Sequence, residues 1–136
     1  ALLVYTASDP AATAPKRAAL ADRGVTVIDC AGPARPGSHT KADLAKLLQD
    51  LARRGVNELH VEAGHKLNGS LLREGLVDEL LLYLAPKLLG PGMGLAAIGP
   101  LTELTQGIAL EFVEATPVGR DLRLRARVPG RFDRQD

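Results

Sequence analysis

The chain has one cysteine, two tyrosines, two phenylalanines and no tryptophan. A single thiol, Cys30, cannot close an intrachain disulfide, which excludes a disulfide-stapled scaffold and fits a reducing cytoplasm. So few aromatic rings leave no stacking platform for single-stranded nucleic acid. Charge of one sign is also missing. Lys and Arg number 17 against 16 Asp and Glu, a formal net charge of +1. That balance gives no electrostatic case for nucleic acid or an anionic membrane as a partner. No apolar run approaches the roughly 18 residues that span a bilayer.

What is present is an ordinary globular composition. Of 136 residues, 46% are apolar and 24% charged. A chain of this length forms one domain and buries about 70% of its unfolded surface. With aromatics at 3%, the core must be built from Leu, Val and Ala.

Leu2–Thr6 is a short apolar run bounded by Ser8-Asp9-Pro10, the signature of a strand. Lys16–Ala21 reads as a short helix stopped by Gly24, and Val25–Asp29 as a second strand. Ala31–Ser38 holds two prolines and two glycines and is loop; His39 beside it is expected to be exposed. Thr40 is placed to cap a helix over Lys41–Arg54, where Leu44, Leu47, Leu48 and Leu51 make one apolar stripe and Gly55 the stop. Glu58–Glu62 is the third expected strand. A short helix follows from Leu67 or Asn68 to Glu74, ended by Gly75. Val77–Ala85 is a fourth strand and Pro86–Gly94 an irregular glycine-rich segment. Leu101–Leu104 suits a short turn. Ile108–Thr116 and Asp121–Val128 alternate around Pro117–Arg120 as a hairpin, and Gly130–Asp136 is a polar tail. The order predicts an α/β fold: a mainly parallel sheet flanked by helices, joined by crossovers through Glu58–Glu62, with a C-terminal antiparallel hairpin.

The segment with most chemistry is Val61-Glu62-Ala63-Gly64-His65-Lys66-Leu67-Asn68-Gly69-Ser70. It lies where a strand gives way to a helix, the place where open α/β sheets bind ligands. Small residues there let backbone N–H groups approach a phosphate, the helix start adds positive potential, Lys66 adds charge and Ser70 a hydroxyl. A plain tight turn explains the same residues. Glu62 could accept hydrogen bonds from an amide or amino group of a ring, or be a cap or solvated charge. His60-Val61-Glu62 lacks the downstream Cys pair of a zinc deaminase. His60, Glu62 and His65 make a poor ligand set, so no metal is expected. Cys30 has no His/Asp partner pattern and reads as apolar filler. Arg123, Arg125 and Arg127 alternate with Leu122, Leu124 and Ala126; they suit a solvated sheet face, or a phosphate or partner. Asp78 reads as a cap or turn residue.

Three blocks taken together resemble one family: Leu59–Gly64, Leu71-Leu72-Arg73-Glu74-Gly75-Leu76-Val77-Asp78-Glu79-Leu80, and Leu84-Ala85-Pro86-Lys87-Leu88-Leu89-Gly90. They are similar in order and spacing to the riboflavin-pathway pyrimidine reductases, the C-terminal reductase half of the bifunctional RibD enzyme. The resemblance covers about Val56–Gly94. It implies a dihydrofolate-reductase-like fold and NADPH-dependent reduction of a ribosylaminopyrimidine phosphate, with hydride delivered to the sugar C1. It implies that Glu62 contacts substrate and that Gly64, His65, Lys66, Leu67, Asn68, Gly69 and Ser70 wrap the cofactor phosphates. It also implies a homodimer, with the C-terminal hairpin as the contact. Where the family has a second glycine, this chain has Ala63, which tolerates positive φ less well. The family's opening Lys-x-Ala-x-Ser-x-Asp-Gly strand, its Arg-rich segment and its zinc deaminase domain are not in the chain. The expectation is a single, partial reductase-type domain over residues 1–136. A non-catalytic nucleotide- or phosphate-binding module, or a dimerisation piece in which Gly64 only turns the chain, is the other reading.

Overall fold

The structure is a computed structural model and describes residues 2–33 and 40–131. The chain forms two compact units, residues 1–60 and 61–136, each described separately below. His39, most of the Ala31–Ser38 loop and the end of the Gly130–Asp136 tail lie outside the described residues.

In the first unit, β1 (Leu2–Thr6) and β2 (Val25–Asp29) pair parallel, from Leu2 opposite Val25 to Thr6 opposite Asp29. Between them runs α1 (Ala14–Ala21). It starts two residues before the expected Lys16 because Pro15, with φ preset and no N–H to lose, suits a first turn. The next helix, α2 (Leu44–Arg53), starts later than expected. Ala31 and Ala42 form an isolated antiparallel bridge that keeps the chain extended there. Asp43, not Thr40, is therefore the N-cap, its carboxylate accepting from the Lys46 N–H at 2.9 Å. The leucine stripe faces inward as expected, with Leu44 buried and Leu47, Leu48 and Leu51 half-buried. Tyr5 of β1 donates to Asp50 of α2 at 2.7 Å, which ties the helix to the sheet. Cys30 is buried, its thiol 3.1 Å from the Asp43 carbonyl, in keeping with a filler role.

The segment Glu58–Glu62 is not a strand among the described residues. Its apolar alternation sets which side chains share a face, but a strand also needs a neighbour to complete a backbone ladder. The crossovers expected through it are accordingly not formed.

In the second unit, α3 (His65–Arg73) precedes β3 (Glu79–Leu84), β4 (Glu111–Val118) and β5 (Asp121–Arg127). These strands make an antiparallel sheet in the order β3-β5-β4. The hairpin is as expected, although β4 runs on to Val118 and the turn shrinks to Gly119-Arg120. The strand β3 had been expected in a parallel crossover; it instead pairs antiparallel with β5, Glu79 opposite Arg127 and Leu84 opposite Leu122. Matching faces explain the pairing. Leu80, Leu82 and Leu84 lie opposite Ala126, Leu124 and Leu122, so both strands present one apolar face. Ala126 at its centre is fully buried. The short turn falls at Leu104–Gln106, slightly beyond the expected Leu101–Leu104. The helices α1, α2 and α3 are followed by Gly24, Gly55 and Gly75 at φ 75°, 86° and 64°, as the sequence predicts. No helix among the described residues is long and apolar enough to cross a membrane.

Candidate functional site

The site is built on the first two turns of α3. Gly64 is the N-cap, with φ −83° and ψ 168°, and no side chain caps the helix. The first intrahelical bond at this end runs from the Asn68 N–H to the Gly64 carbonyl at 3.1 Å. The amides of His65, Lys66 and Leu67 therefore point out of the helix start without intrahelical acceptors. A Cβ added to Gly64 would meet nothing within 4 Å. Neither φ nor packing within the unit demands a glycine here; its effect is to leave the space over those amides open. Among the described residues none but glycine has positive φ, so Ala63 in place of a second glycine costs no backbone strain.

The helix starts at His65, earlier than expected, which places the whole run His65–Ser70 on it. Its side chains have different roles. Lys66 is exposed and makes no ion pair among the described residues. Leu67 is also exposed. Ser70 donates to the Lys66 carbonyl at 3.2 Å and accepts from Arg73 at 3.2 Å, so its hydroxyl is turned along the helix. His65 and Asn68 reach the segment 94–97, His65 Nδ1 to the Gly94 carbonyl at 2.8 Å and Asn68 Nδ2 to the Leu95 carbonyl at 3.1 Å. Gly69 is buried because that segment crosses it: a Cβ there would sit 2.4 Å from the Ala97 carbonyl oxygen. Glu62 lies exposed two residues before Gly64. The arrangement can hold an anion through backbone N–H groups and one ammonium.

The same segment lines an apolar crevice of about 220 Å³, where Leu95, Ala96 and Ile98 face Leu72 of α3, Leu80 of β3, Ile108 and Leu110. Sequence reasoning missed this role. The signal was the apolar run Leu95–Ile98 directly after a glycine-rich stretch. It also missed an open polar crevice of about 630 Å³ in the first unit, at the carboxyl end of β1, lined by Tyr5, Thr6, Ala7, Ser8, Asp9, Thr40 and Ala42. The strand-end rule holds at Thr6-Ala7-Ser8-Asp9, which follow the formed strand β1, and not at Glu62, where no strand precedes the turn.

The three arginines of β5 are not a simple solvated face. Arg125 binds Glu79 through two bonds of 3.0 and 3.1 Å and reaches Glu114 at 3.3 Å. Arg127 binds Glu79 at 3.0 Å, and Arg123 binds Glu114. The Thr116 hydroxyl, then Arg123 and Arg125, hold the Glu114 carboxyl down at about 2. Arg125 and Arg127 likewise depress Glu79. Two carboxylates thus occupy the guanidinium groups, which leaves the α3 terminus as the better anion site.

A model of the RibD C-terminal domain matches residues 2–124. The riboflavin biosynthesis protein RibD of Haemophilus influenzae is 43% identical over 82 residues, covering 60% of this chain and 22% of that protein. A protein named 5-amino-6-(5-phosphoribosylamino)uracil reductase, from Buchnera aphidicola subsp. Acyrthosiphon pisum, is 34% identical over 85 residues, covering 62% of this chain and 41% of that one. Among solved structures, Acinetobacter baumannii RibD aligns with a TM-score of 0.66 at 30% identity, over 82% of this chain and 28% of that one. The chain spans less than half the length of each of these relatives.

Proposed function

The chain belongs to the RibD C-terminal domain family, and from that premise we propose that it is the NADPH-binding part of a riboflavin-pathway reductase. It has the dihydrofolate-reductase-like α/β fold of that family, with one parallel and one antiparallel sheet among the described residues. The reaction is reduction of 5-amino-6-(5-phosphoribosylamino)uracil to the ribitylamino compound. The observation that carries the reading is the uncapped start of α3: open space over Gly64, outward amides at residues 65–67 and the exposed Lys66.

When bound, NADPH would supply the hydride that forms the new C–H bond at the sugar C1 as the bond from C1 to the ring oxygen opens, the freed oxygen taking a proton from solvent. The protein's part is positioning, which hydride transfer chiefly requires. The amides of His65, Lys66 and Leu67 and the Lys66 ammonium hold the cofactor phosphates. Glu62 accepts hydrogen bonds from N–H groups of the pyrimidine. No side chain at this helix start is needed as a general base. The same reading makes the protein a cytoplasmic homodimer, with the hairpin as the contact. Supporting this, Phe112 is 75% exposed on β4, an edge strand of its sheet.

The test is an NADPH fluorescence titration of the protein beside Gly64→Asp. The reading expects saturable binding that Asp abolishes, because its carboxylate fills the open space and repels phosphate. Equal affinity in the two proteins refutes it.

A further inference from the structure

Residues 94–97 lie as a strap along α3, and the helix fastens them over two turns. The His65 ring meets the Gly94 carbonyl at 2.8 Å. The Ala97 N–H donates to the His65 carbonyl at 2.9 Å. Asn68 donates to the Leu95 carbonyl at 3.1 Å, and Arg73 donates to the Ala97 carbonyl. Gly69 lets the strap lie against the helix backbone, since a Cβ there would come within 2.4–2.6 Å of three Ala97 backbone atoms.

The chemistry of these bonds limits what the side chains can do elsewhere. A carbonyl only accepts, so His65 must donate from Nδ1. In the neutral ring the other nitrogen, Nε2, is then an acceptor. An acceptor nitrogen has the wrong polarity for a phosphate oxygen. Asn68 likewise commits an N–H to the strap.

We propose that His65 and Asn68 are positioning residues. They fasten the strap and so hold the first turn of α3 in place, while the amides of residues 65–67 and Lys66 take the phosphates. This rests on the reading that the turn binds NADPH.

The test compares His65→Asn, His65→Gln, Asn68→Ala and Lys66→Gln with the parent protein. Two readouts are taken: amide hydrogen exchange of residues 95–98 without cofactor, and NADPH affinity across a salt series. The Asn amide nitrogen falls where imidazole Nδ1 was, the Gln nitrogen nearer Nε2. His65→Asn should therefore keep slow exchange and affinity within about twofold of the parent. His65→Gln and Asn68→Ala should each lose one neutral hydrogen bond, with exchange about fivefold faster and NADPH about fivefold weaker. Both should keep the parent salt dependence. Lys66→Gln should leave exchange unchanged and flatten the salt dependence, because it removes a screened charge.

Rescue by Gln with failure of Asn would make His65 act through Nε2 and overturn the proposal. Faster strap exchange with undiminished NADPH affinity would also overturn it; if Lys66→Gln still weakens binding, the cofactor reading survives. An unchanged affinity in Lys66→Gln as well would sink both.

Discussion

Replacing Gly69 by Ala isolates the strap from every other part of the site. In an exposed helix the change would stabilise the protein by about 1 kcal/mol, because Ala is the better helix former. Here the new Cβ would lie 2.4 Å from the Ala97 oxygen and 2.6 Å from its carbonyl carbon and nitrogen. All three are backbone atoms, so the strap itself must lift. Lifting it breaks the bonds from Ala97, Asn68 and His65, at about 1 kcal/mol each. Set against the gain in propensity, the net loss is about 2 kcal/mol, on the order of 8 °C in Tm for a domain of this size. Urea unfolding and thermal melting measure it, and hydrogen exchange should locate the loosening at residues 95–98. Gly64→Ala is the control: its Cβ meets nothing within 4 Å and its φ of −83° suits any residue. It should cost less than about 1 kcal/mol, the loss expected at an N-cap. A Gly69→Ala protein as stable as the parent, with exchange still slow at the strap, would refute the close packing of strap on helix.

Two further outcomes follow from the antiparallel sheet. Glu114 has its carboxyl pulled from 4.5 to about 2 by Thr116, Arg123 and Arg125. A depressed carboxyl contributes stability that is fully present above its unfolded value and is lost as pH falls from about 4.5 to about 2. Glu114→Gln should therefore be less stable than the parent at pH 7 and show a shallower loss of Tm across that window; parallel melting curves for the two proteins would contradict it. Phe112→Asp places a charge on the exposed edge strand; if the hairpin is the dimer contact, sedimentation velocity should find the parent as a dimer and the variant as a monomer. An unchanged dimer would move the contact elsewhere.

The correspondence between sequence and structure divides by range. Helix ends were legible because a glycine at positive φ acts within a turn of its own position, as at Gly55 and Gly75. The start of α2 was misplaced because the bridge between Ala31 and Ala42, absent from any local pattern, keeps the chain extended up to Asp43. The glycine turn after Glu62 stood out, yet the division of labour within it did not. Nothing near His65 in the chain announces that its ring is turned to Gly94.

By itself the sequence determined the family, the leucine stripe of α2, the hairpin and the stretch Glu62–Ser70 as the place to look. Each depends on residue identity and spacing among near neighbours, and repeating patterns of that kind are written along the chain. Tertiary structure alone decided that Glu58–Glu62 is no strand here, that β3 pairs with β5, that carboxylates occupy the arginines, and that His65 and Asn68 fasten a strap. Those outcomes depend on partners brought together by folding, 29 residues apart for His65 and Gly94 and 46 for Glu79 and Arg125. Hydrogen bonds, ion pairs and strand ladders are satisfied by whichever group arrives within about 3 Å, and only the folded chain determines which group that is.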